Sequence, residues 1–307
     1  MTEVKSLPAE KESTGTQSVL KEFWHYFRQN KGAVLGLAVF LLIVFIAVFA
    51  DLIAPYGYKE TFMPLYKLPP SFSPVIANDE IARIFILGTD DVGRDIFSRI
   101  IIGSRYSLII GFIVVAISLF FGIILGLIAG FFGGVLDALI MRLMDVIMSI
   151  PSLLLALTIV TVMQLEIWSA IIAFAVIYQP HFVRLTRAAV MAEKNQEYVI
   201  ASRLAGAGKM RLMLKTIFPN CMAPIIVQGT LTFSNAILDV AALGFLSQGV
   251  PPPNPEWGTM LATAREFISS HWWIVTFPGI AILITVLSIN LIGDGLRDAL
   301  DPKMKRS

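Results

Sequence analysis

Few residues in this chain are arranged as a catalytic or metal-binding site requires. The three histidines lie far apart in the sequence, and Cys221 is the single cysteine. Structural metal sites usually combine several histidine and cysteine ligands at close spacing, so we expect no metal site. One cysteine also excludes an intrachain disulfide. The apolar stretches contain no paired aspartates, Ser/His pair or HExxH motif, which argues against an intramembrane enzyme.

The sequence LAGAGKM at 204–210 is superficially similar to a phosphate-binding loop. That motif requires glycine at position 203 and serine or threonine at position 210, because its backbone cradles phosphate and its hydroxyl binds Mg²⁺. Arg203 and Met210 occupy these positions, and no predicted strand precedes them. We therefore reject an ATP-binding site in this chain.

The surrounding segment, Glu197–Asn220, combines small and basic residues. Its small residues are Ala201, Ser202, Ala205, Gly206, Ala207 and Gly208. The pattern then predicts a short basic helix over Lys209–Lys215, which Pro219 ends. Small side chains let a partner approach the backbone closely, so one interpretation is a docking segment. The other is an ordinary cytoplasmic loop with the usual excess of lysine and arginine.

Composition indicates a membrane protein. Of the 307 residues, 56% are hydrophobic and only 15% are charged, whereas soluble domains carry about 25% charged residues. So few charges cannot cover a water-facing surface around this apolar content, and a lipid bilayer is the expected surroundings. The net charge of +2 is too small to indicate a nucleic-acid partner.

Six apolar stretches are long enough to cross a bilayer, which takes about 20 residues. They are Gly32–Ala50, Leu108–Gly130, Val146–Leu165, Ile167–Val183, Cys221–Leu246 and Trp272–Gly293. The first follows a polar N-terminus and is longer than a signal-peptide core, so we expect a retained anchor. The expected fold is an all-α membrane protein with six transmembrane helices.

The distribution of lysine and arginine predicts the orientation, because cytoplasmic loops carry an excess of both. Both termini and the loop 184–220 are therefore predicted to be cytoplasmic. The predicted organisation is a cytoplasmic N-terminal segment (1–31), a first transmembrane helix (32–50), a periplasmic loop with an interfacial helix (51–107), a five-helix core containing the loop 184–220 (108–293), and a cytoplasmic tail (294–307).

Two external stretches have helical patterns. Thr89 or Asp90 is predicted to cap a short helix around 96–101 that lies in the membrane interface before the second span. Proline excludes a helix at the start of Gly249–His271, but one or two amphipathic turns are expected from Pro255 onward.

Glycine, proline and charged residues predict further local features. Gly122, Gly126 and Gly130 recur every four residues and form one smooth face for close helix contact. Pro151 is expected to bend the third span, and Arg142 and Asp145 to form an interfacial ion pair. Gly293 and Gly295 are expected to stop the sixth span.

The segment Glu197–Asn220 resembles the coupling loop of the permease subunits of bacterial ATP-binding-cassette (ABC) importers. In that loop an alanine-rich start precedes a glycine, and a proline follows thirteen residues later; here these positions hold Ala201, Gly206 and Pro219. Ile200 and Ser202 replace the consensus glutamate and alanine, and the acidic residue, Glu197, lies three positions earlier.

Four further stretches resemble the C-type subunit in the oligopeptide and dipeptide branch of that family. They are LGTDDVGRDIFSR at 87–99, MRLMDVIMSIPSLLLAL at 141–157, PEWGTML at 255–261 and GDGLRDALDP at 293–302. The resemblance covers the chain from about residue 20 onward and implies the type I ABC importer fold.

The resemblance also implies a function and partners. The chain would be a non-catalytic half of a translocation pathway in the bacterial inner membrane, paired with a paralogous B-type permease subunit. Two ATPase subunits would bind ATP and Mg²⁺, and a periplasmic peptide-binding protein would deliver a short peptide. The residues implied in ATPase coupling are Glu197, Ala201, Ser202, Ala205, Gly206, Ala207 and Pro219. Dipeptide, tripeptide, haem or another small solute all stay open as substrate.

Asp239 is the one acidic residue deep inside a predicted span. A charge there is costly and usually faces a polar cavity or a partner. One interpretation places Asp239 and Asn235 in the translocation pathway, in contact with the amino group of a peptide. The other is a structural hydrogen bond to Asn235 or to a neighbouring helix, or simple placement near the outer end of the span. A stand-alone secondary transporter or channel is the alternative function, although it would be expected to carry charges in several spans.

Overall fold

The structure is a computed structural model that describes residues 19–63, 65–76, 82–164 and 167–300. Within these ranges two short strands, β1 (Val75–Ile76) and β2 (Ala82–Arg83), pair antiparallel, and the regular structure is otherwise helical. The predicted segments 1–31 and 294–307 and the end of the third predicted span lie partly outside the described residues.

Twelve α-helices follow one another in the described part of the chain. They are α1 (Val19–Gln29), α2 (Lys31–Val48), α3 (Ala50–Ile53), α4 (Ile96–Phe132), α5 (Gly134–Met148), α6 (Ser152–Met163), α7 (Ile167–Glu193), α8 (Glu197–Leu204), α9 (Lys209–Arg211), α10 (Met222–Phe245), α11 (Trp257–Ala264) and α12 (Trp272–Leu300). A π-helical turn (Leu212–Ile217) and a 3₁₀ turn (Phe218–Cys221) join α9 to α10, and a second 3₁₀ turn (Arg265–Phe267) follows α11.

Among the described residues, five helical stretches are long and apolar enough to cross a membrane. They are Lys31–Val48, Ile96–Phe132, Ile167–Glu193, Lys209–Phe245 and Trp272–Leu300. The bent pair α5 and α6 makes a sixth if it counts as one span. These stretches correspond to the six predicted spans, so the predicted all-α membrane architecture is confirmed.

The third predicted span, Val146–Leu165, is wrong as a single helix. Helices α5 and α6 meet at an angle of 89° across the break at 149–151. Pro151 lacks an amide hydrogen, and its ring disfavours the helical conformation at Ile150. Proline here ends one helix and begins another, rather than bending a continuous one.

Helix α4 is one continuous helix of 37 residues, so the predicted separate interfacial helix is wrong. Its N-cap is Asp95, whose carboxylate accepts hydrogen bonds from the amide of Ser98 at 2.8 Å and from its hydroxyl at 2.6 Å. The predicted caps have other partners: the Thr89 hydroxyl donates to the carbonyl of Leu65, and Asp90 accepts from Arg94.

Helices α4 and α7 pack closely along the predicted glycine face. A Cβ added at Gly122, Gly126 or Gly130 would stand only 2.3, 2.6 or 2.8 Å from the Cβ of Phe182, Thr186 or Val190, respectively. The partners recur every four residues on α7, matching the glycine spacing on α4. The predicted close helix contact is therefore confirmed.

Helix α12 passes through Gly293 and Gly295 without interruption, so these glycines do not end the helix, and the predicted end of the sixth span there stays a prediction. They are contact points instead. A Cβ at Gly295 would stand 2.1 Å from the Cβ of Ala33 and 3.0 Å from the ring of Phe27. The end of α12 is thereby held against α1 and the start of α2.

The helical bundle has two ends, the Glu197 end and the Glu256 end. The Glu197 end carries α8, α9, the end of α7 and the end of α12. The Glu256 end carries α11, the beginning of α4 and the beginning of α12.

Candidate functional site

The segment Glu197–Asn220, here the connecting segment, links the last turn of α7 to the beginning of α10. Its helix α8 ends in a Schellman motif, in which two backbone amides turn back to the last carbonyls. The amide of Gly206 donates to the carbonyl of Arg203 at 3.0 Å, and that of Ala207 to Ser202 at 3.1 Å. Gly206 has φ of 84°, a conformation that L side chains disfavour. Gly206 is therefore required by the local backbone.

One side of the connecting segment is anchored in an apolar cluster. Val199, Leu212, Met213, Ile217 and Cys221 are buried there. They pack with residues of α4, α7 and α10, and Ala207 packs against the same cluster. This contact fixes the inward side of the connecting segment against three long helices.

The other side of the connecting segment is exposed and mixes apolar with basic residues. Leu204 is 83% exposed and Met210 is 61% exposed. Arg203, Lys209 and Arg211 are exposed beside them. Two exposed apolar side chains therefore lie among three cations on this side of the segment. We call these five residues the docking face.

The predicted coupling residues divide between the two sides. Ser202 and Ala207 are half-buried, whereas the others are exposed: Glu197, Ala201, Ala205, Gly206 and Pro219. A Cβ added at Gly206 would meet no atom within 4 Å in this chain. The structure thus leaves open space around the glycine at the turn.

A polar cluster at the Glu197 end was not predicted from the sequence. The hydroxyl of Tyr198 donates to the carboxylate of Glu193, and the amide of Asn220 donates to that hydroxyl at 3.1 Å. Burial, with the bond to Glu193, raises the pKa of Tyr198 to about 12, so its hydroxyl stays protonated. No short sequence motif marks these contacts, because the three residues come from three separate elements.

A cavity of about 730 Å³ opens at the same end, between α7, α10 and α12. Its polar lining residues are Glu193, Asn220, Gln228, Asp294 and Arg297. Two members of the polar cluster therefore also line the cavity.

Asp239 lies half-buried on α10 and accepts a hydrogen bond of 2.5 Å from the hydroxyl of Tyr178 on α7. Its partner is thus on a neighbouring helix. Asn235 lies one turn earlier on α10 and is exposed. The structure does not bring Asn235 and Asp239 into a hydrogen bond, and their role in a pathway stays a prediction.

Two ion pairs hold α5, the first helix of the bent pair, to α7. The carboxylate of Asp137 accepts from Nε and Nη2 of Arg187 at 2.5 and 2.6 Å. Asp145 pairs with Arg184 at 2.6 Å. The predicted pair between Arg142 and Asp145 is therefore wrong: the bend places Asp145 beside α7.

At the Glu256 end, the carboxylate of Glu256 and the guanidinium of Arg99 are both buried. Glu256, 2% exposed, caps α11 by accepting from the amides of Gly258 at 2.9 Å and Thr259 at 2.8 Å. Burial raises its pKa above the usual range of a glutamate. Arg99 donates from Nη1 to the carbonyls of Tyr58 and Pro253. The predicted turns after Pro255 are confirmed as α11.

The part of the chain that the structure describes contains no group of three or more His, Cys, Asp or Glu residues that could hold a metal ion. The turn at 205–208 lies between two helices, whereas a phosphate-binding loop follows a strand.

Comparison with known proteins places these features in a family. Residues 122–306 match the family model described as binding-protein-dependent transport system inner membrane component. Residues 18–70 match the N-terminal transmembrane domain of oligopeptide transport permease C.

Curated relatives match over nearly the whole chain. The di/tripeptide transport system permease protein DppC of Pseudomonas aeruginosa is 55% identical over 307 residues, which is all of both chains. The dipeptide transport system permease protein DppC of Escherichia coli K12 is 56% identical over 287 residues, or 94% of each. That of Alkalihalophilus pseudofirmus is 44% identical over 303 residues, covering 99% of this chain and 96% of the relative.

The fold has a solved counterpart in the inward-facing MetNI methionine ABC transporter. That match has a TM-score of 0.56 at 18% identity and covers 66% of this chain and 96% of the other. It shows a shared type I ABC importer permease fold. With this fold and these relatives, the chain is a multi-pass membrane protein that belongs to the family of binding-protein-dependent transport permeases, in its oligopeptide and dipeptide permease C branch.

Proposed function

We propose that this permease takes up dipeptides and other short peptides across the bacterial inner membrane as half of an ATP-driven importer. The relatives at 55–56% identity, which are named for dipeptide or di/tripeptide transport, support this substrate class. The other half of the pathway is a paralogous B-type permease subunit. A periplasmic peptide-binding protein delivers the substrate.

The chain itself does not hydrolyse ATP in this proposal. Two partner ATPase subunits bind ATP and Mg²⁺, and the docking face of the connecting segment contacts one of them. The observation that carries this assignment is the two-sided connecting segment: one side is anchored between α4, α7 and α10, and the other exposes Leu204 and Met210. Displacement of such a segment by a partner is passed to the helices that hold it.

The alternative, a stand-alone secondary transporter or channel, has weaker support. Such proteins place charged residues or paired broken helices at a midplane site. In the described residues one broken pair occurs, α5 with α6, and its ion pairs join it to α7.

Purification and reconstitution test the proposed function. The tagged permease is isolated from its native membrane, and co-purifying subunits are identified. The binding protein is then titrated with dipeptides, tripeptides and haem by calorimetry. Peptide uptake should require the second permease, the ATPases and the binding protein together. Uptake or ATP hydrolysis by this chain alone would refute the proposal.

Substitution of Gly206, in the turn between Leu204 and Lys209 of the docking face, tests the docking of a partner there. A leucine there would project into open space in this chain but would obstruct a docked partner. Overpacking costs about 1–3 kcal/mol, so we expect the peptide transported per ATP to fall roughly tenfold while the protein still inserts.

Gly206→Ala is the matched control, because alanine meets the same strain at φ of 84° without the bulk. Docking predicts that leucine impairs coupling far more than alanine does. Normal transport by Gly206→Leu, or equal defects in both variants, would remove the support for docking at this turn.

A further inference from the structure

The polar cluster at the Glu197 end joins three elements through one hydroxyl. Glu193 is the last residue of α7, Tyr198 is the second residue of α8, and Asn220 lies in the 3₁₀ turn before α10. The Tyr198 hydroxyl donates to Glu193 and accepts from Asn220, whose amide also donates to the carbonyl of Thr216 at 3.0 Å. The Tyr198 hydroxyl therefore donates a hydrogen bond to one element and accepts a hydrogen bond from another.

These bonds differ in kind from the rest of the anchoring of the connecting segment. The buried cluster around Val199 is apolar, and apolar contacts have little directional preference. The Tyr198 bonds are directional, and one involves a carboxylate, which strengthens it. They add a directional link between α8, the end of α7 and the turn before α10 to the apolar contacts that already hold the segment.

The position of Glu193 is not explained by the stability of its own helix. A carboxylate at a helix C-terminus faces the negative end of the helix dipole and is disfavoured there. Lys194, which follows it, donates to the carbonyl of Gly130 on α4 at 3.2 Å. Glu193 and Asn220 also line the cavity between α7, α10 and α12. The cluster therefore connects α8, which also carries Arg203 and Leu204, to the walls of that cavity.

We propose that Tyr198 is a positioning residue for coupling: its hydroxyl makes the end of α7 and the turn before α10 move with α8 as one body. This inference rests on the proposed docking of the connecting segment to an ATPase. When that segment is displaced, the walls of the cavity follow it through Glu193 and Asn220. Without the hydroxyl, apolar contacts alone hold α8, and part of the displacement is lost.

Tyr198→Phe in the complete reconstituted importer tests this role. Phenylalanine keeps the ring and removes only the hydroxyl. We expect the peptide transported per ATP hydrolysed to fall about threefold or more, because a hydrogen bond to a charged group is lost, with assembly of the complex unchanged. Tyr66→Phe, which removes an exposed hydroxyl from the chain between α3 and α4, is the control and should leave the ratio at the wild-type value.

Variants of Glu193 separate positioning from general stability. Glu193→Gln keeps an acceptor for the Tyr198 hydroxyl and should retain most of the ratio, whereas Glu193→Ala should lower it as Tyr198→Phe does. In the double variant Tyr198→Phe/Glu193→Ala, the two losses should not add, because they remove the same bond.

Two results overturn the inference. One is a transport ratio for Tyr198→Phe equal to that of Tyr66→Phe. The other is loss of co-purifying ATPase from Tyr198→Phe, which would make the residue a structural anchor. If the wild-type connecting segment fails to cross-link to an ATPase, the proposed function itself fails. If it cross-links and Tyr198→Phe is normal, only the role of Tyr198 is lost.

Discussion

Gly122 provides the tightest of the three glycine contacts between α4 and α7, and its replacement by alanine tests the packing of the bundle. The new Cβ would stand 2.3 Å from the Cβ of Phe182, more than 1 Å inside an ordinary carbon–carbon contact. Helix α7 would have to move away from α4 by about that amount. The whole row of contacts, including Gly126 with Thr186, would loosen with it.

The magnitude follows from two opposing effects. Overpacking in a close helix contact costs about 1–3 kcal/mol. Replacement of glycine by alanine in a helix returns about 1 kcal/mol through intrinsic propensity. Gly229→Ala on α10 is the matched control, because its Cβ would meet only the Leu119 side chain at 3.6 Å. Both variants gain the same propensity, so their difference isolates a packing cost of about 1–3 kcal/mol.

The assay is reversible unfolding of the purified permease in mixed micelles with increasing SDS, followed by tryptophan fluorescence. We expect Gly122→Ala to have a lower free energy of unfolding than Gly229→Ala, with the cost decreasing through Gly126→Ala and Gly130→Ala. Equal free energies for Gly122→Ala and Gly229→Ala would refute the close contact between α4 and α7.

Three further substitutions test Glu256 and the two ion pairs of α5. Glu256 has a raised pKa in the folded state, so its contribution to stability is complete below the unfolded pKa of about 4.3. That contribution is lost as pH rises through the folded pKa. Glu256→Gln should therefore flatten the dependence of the unfolding midpoint on pH. For α5, we expect Asp137→Asn to cost about 1 kcal/mol in SDS unfolding and Asp145→Asn less than about 0.5 kcal/mol. The first pair is bidentate and only 30% and 18% exposed, whereas Arg184 and Asp145 are 44% and 53% exposed. Equal costs, or an unchanged pH profile for Glu256→Gln, would contradict these assignments.

Features set by local pattern were predictable from the sequence. Hydropathy located the first span at Gly32–Ala50, and the structure has it at Lys31–Val48. The four-residue recurrence of Gly122, Gly126 and Gly130 indicated a close contact without naming its partner. These predictions succeed because helical periodicity and lipid burial act along a single segment.

Features that depend on distant residues were not predictable in this way. Thr89, Asp90 and Asp95 are all suitable helix caps, and Asp95 has the role because α4 begins at Ile96, whereas the other two bind Leu65 and Arg94. A hydropathy window adds residues across Pro151, so it cannot distinguish a bent helix from two helices at 89°.

The candidate site shows the same division. The glycine–proline spacing marked the connecting segment, but Tyr198 was missed because its partners, Glu193 and Asn220, belong to other elements.

The unbroken length of α4 has a mechanical consequence. At 37 residues it measures about 55 Å, nearly twice the roughly 30 Å of a bilayer's hydrocarbon core. One end begins at the Asp95 cap, and near the other the carbonyl of Gly130 accepts from Lys194. A rod of that length tilted by about 10° around its midpoint would carry its ends about 5 Å in opposite directions. Because α4 has no break along its length, a displacement of one end moves the other end in the opposite direction.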